Sequence, residues 1–442
     1  MDKFVIEGGH RLEGTVEVSG SKNAALPILA ASLLTDKKCV IKGVPPLSDV
    51  NTIANILRGL GVSVTRRSNG DIETQVKDES QCRAPYELVS TMRASVCVLG
   101  PLLAKRHRAE VSLPGGCVIG IRPIDLHLKG FKSLGATVDI EHGYVTARAT
   151  RLRGTEMFLG GSFGSTVTGT ANVLMAAALA EGRTVIENSA CEPEVQDLCE
   201  FLLKMGANIK GVGTHRLVIE GAAKLGGAEH KVIPDRIEAG TLMVAAAITQ
   251  GDVTIEGCRP DHLGAVIDKL SEIGVAVAKE PSRCRVMGPQ KLRPTQMTTL
   301  PYPGFPTDMQ AQLMTLLSLA EGISVVSEKV YPDRFMHVAE LNRMGADIRK
   351  EGATAIVHGV DRLSGTTVMA SDLRASAALV LAGLAAKGTT QLTRVYHVDR
   401  GYEKLEKKLE SLGARIERQV DKRLVVLGEG PPARGRRAKR RP

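Results

Sequence analysis

Six copies of one unit follow one another along the chain. An apolar residue followed by glycine closes an amphipathic stretch at Leu60-Gly61, Leu134-Gly135, Met205-Gly206, Ile273-Gly274, Met344-Gly345 and Leu412-Gly413, at intervals of 74, 71, 68, 71 and 68 residues. A regular period of this kind marks a repeated supersecondary unit. Ahead of each marker lies a run of small apolar residues, as in NAALPILAASLL from Asn23, TGTANVLMAAALAEG from Thr168 and RASAALVLAGLAAKG from Arg374. The other three runs begin near Met92, Glu238 and Thr307. Such a run is apolar nearly all round, which predicts a buried helix rather than a surface one. A strand, an amphipathic helix and a hairpin-like strand pair follow, so the unit reads βαβαββ and the class is α/β. Glycines after four of the runs, Gly182, Gly251, Gly322 and Gly388, stand where helix C-caps are expected.

The ends of the unit recur as well. LVIEG at Leu217, AIVHG at Ala355 and LVVLG at Leu424 look like one final strand, and FVIEG at Phe4 matches them. The N-terminal strand is therefore expected to pair with the C-terminal repeats. That gives two lobes of three repeats around buried parallel helices, one spanning residues 22–233 and the other 1–21 plus 234–430. The chain would cross between them near Ser21-Lys22 and Pro234-Asp235, leaving a hinge and a cleft of the kind that holds ligands.

At 442 residues the chain is too long for one ordinary core. Aromatic residues make up 3% and Trp is absent, so the interior is built from Ala, Leu, Val, Ile and Met. The net charge of +10 invites a nucleic-acid reading, but six of the basic residues sit in the tail PPARGRRAKRRP (431–442), which takes the remainder to +4. That tail has nothing apolar to bury and is expected to be disordered, and no nucleic-acid motif accompanies it. The eight cysteines show neither CxxC nor metal-ligand spacing, which fits a reducing cytoplasm. MDKFVIEGGH has no signal-peptide pattern, and no apolar run reaches membrane-spanning length.

The residues just before the buried helices carry the chemistry. They are Ser21-Lys22-Asn23, Thr91-Met92-Arg93, Ser162-Phe163-Gly164-Ser165-Thr166, Pro234-Asp235-Arg236, Thr307-Asp308 and Asp372-Leu373-Arg374. Helix N-termini gathered on one face offer unpaired N–H groups, and the added cations point to phosphates or carboxylates. Asp372 and Thr307, each taken alone, read as ordinary N-caps. Lys22, Arg93 and Arg374 oppose the helix dipole where they stand, which is unfavourable unless an anion is present. In LPGGCVIGIRPIDLH, Cys117 follows two glycines, with Arg122 and His127 near enough in sequence to lower a thiol pKa; a buried hydrophobe and a reactive thiol both remain open for it. Ser-His-Asp, HExxH, Walker A and GxGxxG patterns are missing, which removes those reaction classes.

With SGSKNAALP, TMRAS, PDRIEAGT, FPTDMQAQ, DRFMH, DLRASAALVLAG and HVDRGYEKLE, the loop sequence makes residues 1–428 resemble the UDP-N-acetylglucosamine 1-carboxyvinyltransferases of the EPSP synthase superfamily. The resemblance implies a pair of inside-out α/β barrels, three repeats each. The implied reaction moves the enolpyruvyl group of phosphoenolpyruvate to the 3′-hydroxyl of UDP-N-acetylglucosamine (UDP-GlcNAc), releasing phosphate, as the first committed step of peptidoglycan synthesis, with no metal or organic cofactor. It makes Cys117 the general acid, able to bond covalently to phosphoenolpyruvate and open to alkylation by fosfomycin, and Asp308 the base. Lys22, Arg122 and Arg400 become the cations around phosphoenolpyruvate, Asn23 bridges to the sugar, and Asp372 and Arg374 support the ring of charge. UDP-GlcNAc contacts fall on Arg93, Arg122, Pro123, Ile124, Asp125, Leu126, Ser162, Phe163, Gly164 and Val330, and Arg334 aids closure. Two departures from the family pattern stand out: Gly160 and Phe163 where the diphosphate segment often has a lysine and a valine, and Cys191 where a basic residue is usual. Enolpyruvyl transfer to shikimate 3-phosphate is the sister activity, distinguished by the PGGC loop, and a non-catalytic anion-binding protein is the reading from another class.

Overall fold

The computed structural model describes residues 2–113 and 124–420. Cys117, Arg122, Pro123, the strand expected at Leu424 and the basic tail lie outside them. Six four-stranded sheets recur, each built the same way. Met157, on the strand Glu156–Phe158, pairs in parallel with the strand Arg183–Glu187 across a buried helix, and Arg216–Glu220 and Asn208–Lys210 then add antiparallel in that order. Parallel neighbours need a crossover and antiparallel ones only a hairpin, so the βαβαββ order of the sequence maps directly onto this topology.

Three sheets borrow a strand from far away in the chain. The first strand, β1 (Asp2–Glu7), lies between Thr389–Thr393 and Arg415–Val420, with Phe4 opposite Leu392 and Arg418. The second, β2 (Glu13–Glu17), pairs in parallel with Asp252–Glu256. The strand Glu229–Lys231 returns to pair with Cys39–Lys42. The two connecting stretches run side by side: Gly20 and Pro234 form a bridge, Ser21 N–H donates to Ile233 O (2.7 Å) and Asp235 N–H to Ser19 O (2.9 Å).

The buried helices are α1 (Lys22–Ala31), α2 (Leu99–Arg106, led by the 3-10 segment Arg93–Val98), α3 (Val167–Ala177), α4 (Arg236–Ile248), α5 (Gln310–Leu317, led by Thr307–Met309) and α6 (Leu373–Ala385). Every residue of α4 is buried. Helices α1 to α3 belong to one hydrophobic core running from Ala24 to Val232, and α4 to α6 to a second that also takes in Phe4, Ile6, Leu12, Val16 and Val18. Small residues let these helices close up: a Cβ on Gly100 would sit 2.1 Å from the Asn172 carbonyl oxygen, and Gly100 N–H donates to Asn172 Oδ1 at 2.7 Å.

The glycines divide into two groups. Gly61, Gly135, Gly206, Gly274, Gly345 and Gly413 all have φ between 79° and 104°, the left-handed turn that ends each amphipathic helix. The other four are not C-caps. Those positions go to Ala178, Thr249, Ser318 and Ala386. Gly182, Gly322 and Gly388 instead turn the chain into the next strand, and at Gly251 the left-handed residue is its neighbour Gln250.

Candidate active site

Helix starts from both cores line one large cavity of about 850 Å³, which opens beside a smaller one of about 240 Å³. The larger cavity brings together Lys22, Asn23, Arg93, Asp125, Leu126, Ser162, Phe163, Gly164, Asp308, Val330, Arg334, Asp372, Arg374 and Arg400, residues spread over almost 380 positions. A volume of this size suits a ligand as large as a nucleotide sugar. Ile124 is not among the lining residues; it is buried in the first core at the head of the helix Asp125–Ser133. Ser162 and Phe163 form the turn of a two-stranded hairpin, Gly160–Gly161 with Gly164–Ser165, that stands outside the six repeated sheets.

Side chains cap several of the helices at the cavity. Ser21 accepts from Ala24 N–H, Thr166 from Gly169 N–H, Asp235 from Ile237 and Glu238 N–H, and Asp372 from Arg374 and Ala375 N–H (2.9 and 3.1 Å). Thr307 is not a cap. Its hydroxyl donates to Glu328 Oε2 (2.9 Å) and accepts from Arg334 Nη1 (3.1 Å).

At three helix starts, those of Lys22, Arg236 and Arg374, the protein itself supplies the anion. Lys22 Nζ lies 2.8 Å from Asp49 Oδ2, while Arg400 Nε reaches Asp49 Oδ1 at 3.0 Å. Arg236 makes a paired contact with Glu194 (2.9 and 3.3 Å) and lies over the Tyr302 ring. Asp308 accepts from Arg334 Nη1 (2.7 Å) and Arg374 Nη2 (3.0 Å), and Arg374 also covers the Tyr402 ring. Burial alone would raise the Asp308 carboxyl, but Arg374 and Arg334 outweigh it and hold the group well below the ordinary carboxylate range. For Lys22 and Arg374 an internal carboxylate, Asp49 and Asp308 respectively, offsets the helix-dipole penalty.

A family model for EPSP synthase (3-phosphoshikimate 1-carboxyvinyltransferase) matches residues 6–409. The chain belongs to that family. Within it, the chain is 56% identical to the UDP-N-acetylglucosamine 1-carboxyvinyltransferase of Anaeromyxobacter sp. (strain K), covering 95% of this chain and 99% of that one. It is 53% identical to the protein of that name from Methylacidiphilum infernorum (isolate V4), covering 96% of this chain and all of the relative. Among solved structures, the enolpyruvyl transferase NikO from Streptomyces tendae superposes with a TM-score of 0.86 at 26% identity, covering 94% of this chain and 98% of NikO. An EPSP synthase from Acinetobacter baumannii shares the fold at TM-score 0.72 and 20% identity, covering 95% of this chain and 100% of its own.

Several residues of this EPSP synthase-family site escaped sequence reading. Asp49 is one acid at the start of an amphipathic helix, and nothing local marks it. Glu192 and Glu194 stand in the CEPE stretch, where Cys191 drew attention because it is the unusual residue. Glu328 is fully buried and gathers Thr299 Oγ1, Val330 N–H, Tyr331 N–H and Thr307, thereby fixing the segment that presents Val330 to the cavity. Thr168 also lines it, just beyond the expected run at 162–166.

Among the described residues His127 serves the packing of the fold, while Cys117, the thiol near it in sequence, lies outside them. The histidine is buried, its Nδ1 lies 3.0 Å from Asn172 Nδ2 and its Nε2 3.2 Å from Thr168 Oγ1, so it ties its helix to α3. Burial and then Arg93 push it down to about 3, so it stays neutral near pH 7. His337, buried beside Met314, is pushed down to about 4 by burial. Both folded-state values lie below the unfolded one, so the unfolded chain takes up protons first on acidification. Stability is full above about pH 6.5 and falls below it by up to about 1.4 kcal/mol per pH unit for each histidine. Urea midpoints of the native chain and of His127→Gln, taken at pH 7.5 and 5.0, should show the smaller loss in the variant. Equal losses would mean His127 contributes nothing to acid sensitivity.

Proposed function

We propose that this protein transfers the enolpyruvyl group of phosphoenolpyruvate to the 3′-hydroxyl of UDP-GlcNAc, releasing phosphate, in peptidoglycan synthesis. The observation that carries the reading is the convergence of Lys22, Arg93, Arg334, Arg374 and Arg400 with Asp308 on one cavity, in a chain 53 to 56% identical over its length to enzymes named for this activity. Phosphoenolpyruvate carries both a phosphate and a carboxylate, and a basic cavity built on helix N-termini suits both. The reading includes two inside-out α/β lobes, 22–233 and 1–21 plus 234–430, and a cytoplasmic setting. Among the described residues no helix is long and apolar enough to cross a membrane.

In the proposed reaction the Cys117 thiol protonates the methylene carbon of phosphoenolpyruvate, leaving C2 electron-poor. The sugar 3′-hydroxyl adds to C2 and its proton passes to Asp308, giving a tetrahedral ketal. The thiolate then takes a proton back from the new methyl group as the C2–O bond to phosphate breaks, and the Asp308 proton leaves with phosphate. A carboxylate paired with two guanidiniums is a weak base, but a hydroxyl adding to a cationic carbon becomes a strong acid, so a weak base suffices. Lys22 and Arg400, with Arg122, hold the anionic groups of phosphoenolpyruvate, and Asn23 spans to the sugar. Arg93, Asp125, Leu126, Ser162, Phe163, Gly164 and Val330 line the nucleotide side.

The test is phosphate release from phosphoenolpyruvate with UDP-GlcNAc, with shikimate 3-phosphate and with neither, each with and without fosfomycin. Release that depends on UDP-GlcNAc and is stopped by the drug is expected. Release only with shikimate 3-phosphate would move the assignment to the activity that gives the family model its description.

A further inference from the structure

Lys22 opens a helix of the first core, whereas Arg400 ends the 3-10 segment Val395–Arg400 of the second. Both line the large cavity, where two like charges brought together from separate cores repel one another. Lys22 is also 6% exposed, so its ammonium has lost most of its water. One carboxylate offsets both costs. Asp49 divides its two oxygens, Oδ2 to Lys22 Nζ and Oδ1 to Arg400 Nε. It is buried in the first turn of the helix Ser48–Gly59, where the helix dipole favours a negative charge. Burial pushes its carboxyl up, but Lys22 and Arg400 more than compensate and the group lies below its ordinary value.

The division leaves donors over. Asp49 uses one N–H of the ammonium and the Nε–H of the guanidinium, so among the described residues the terminal nitrogens of Arg400 are left for a ligand. The trio keeps a net charge of +1 and therefore still attracts an anion.

We propose that Asp49 is a positioning residue that holds Lys22 and Arg400 as one preformed site for an anionic group of phosphoenolpyruvate. It touches no substrate itself. The inference rests on the functional reading above and deepens it, because it assigns the pairing of cations from the two cores to a residue that sequence patterns pass over.

The experiment compares the native chain with Asp49→Asn, measuring KM for each substrate by phosphate release and the affinity for inorganic phosphate by calorimetry. Loss of the shared carboxylate leaves two uncompensated cations, and KM for phosphoenolpyruvate is expected to rise about tenfold or more, with phosphate affinity falling in parallel. KM for UDP-GlcNAc should stay within about twofold, because the nucleotide side of the cavity is untouched. A purely structural role would move both KM values together, and that result overturns the proposal. So does an unchanged or lower KM for phosphoenolpyruvate, which would make Asp49 a competing anion. If Asp49→Asn does not fold, Asp49→Glu keeps the charge but moves it by one methylene, and the same selective rise in KM for phosphoenolpyruvate is expected. If the native chain releases no phosphate with UDP-GlcNAc, the functional reading fails, while calorimetry with inorganic phosphate still decides the role of Asp49: no binding by the native chain, or equal binding by the variant, refutes it.

Discussion

Replacing Cys117 with alanine is expected to lower UDP-GlcNAc-dependent phosphate release by a factor of about 10² to 10⁴, the range a positioned proton donor contributes. Inactivation by fosfomycin should vanish in the same variant, because the atom that would be alkylated is gone. Mass spectrometry of the native protein after treatment should find one adduct, on the peptide that carries Cys117. Cys97 and Cys199 are poor competitors, because both are buried and burial pushes both up to about 12. An adduct elsewhere, or full activity in Cys117→Ala, would remove the cysteine from the mechanism.

Asp308→Asn should damage both rate and stability. As proton acceptor, the carboxylate accounts for an expected fall in kcat of about 10² to 10³. As the partner of Arg334 and Arg374, both buried, it also offsets two charges that cannot easily be rehydrated, and losing one member of such a group costs about 3 to 5 kcal/mol. Urea unfolding of the variant measures the second effect, and kcat at a temperature where the variant remains folded measures the first. The pH dependence has a definite sign. A carboxyl held well below its ordinary value stabilises the fold above the unfolded pKa and loses that contribution only as pH falls through the folded one. Between about pH 5 and 9 Asp308 keeps its charge, so an acid limb of the rate profile in that window belongs to another group. A variant with native kcat would show that the hydroxyl proton leaves by another path.

What the sequence disclosed and what it concealed differ by range. Repeats were legible because a buried helix needs a continuous apolar run and a left-handed turn needs glycine, both of which are local demands. The six Leu/Met/Ile-Gly turns carry that signal one by one. The cations at Lys22, Arg236 and Arg374 were visible for the same reason, since each stands beside an apolar run. Their carboxylate partners were not. Asp49 meets Arg400 across 351 positions and Glu194 meets Arg236 across 42, and nothing in the neighbourhood of either acid announces the pairing. Thr307 shows the opposite failure: its position imitates an N-cap, yet its hydroxyl is taken by Glu328 and Arg334, a tertiary preference that overrides the local one.

The placement of β1 bears on how the polypeptide is made. Glu7 leaves the ribosome long before Thr389, its neighbour in the finished sheet, has been translated. The helices and strands of the first core come next and can close on one another while synthesis continues, needing only residues up to Val232. Throughout that time β1 and β2 wait without partners, two short strands tethered to the first core. Completion of the second core is therefore deferred to the final stage of translation, when Arg415–Val420 arrives to flank β1. A nascent chain stalled before that point would carry a folded first half and an unsatisfied leading edge, which is the species a holdase would recognise.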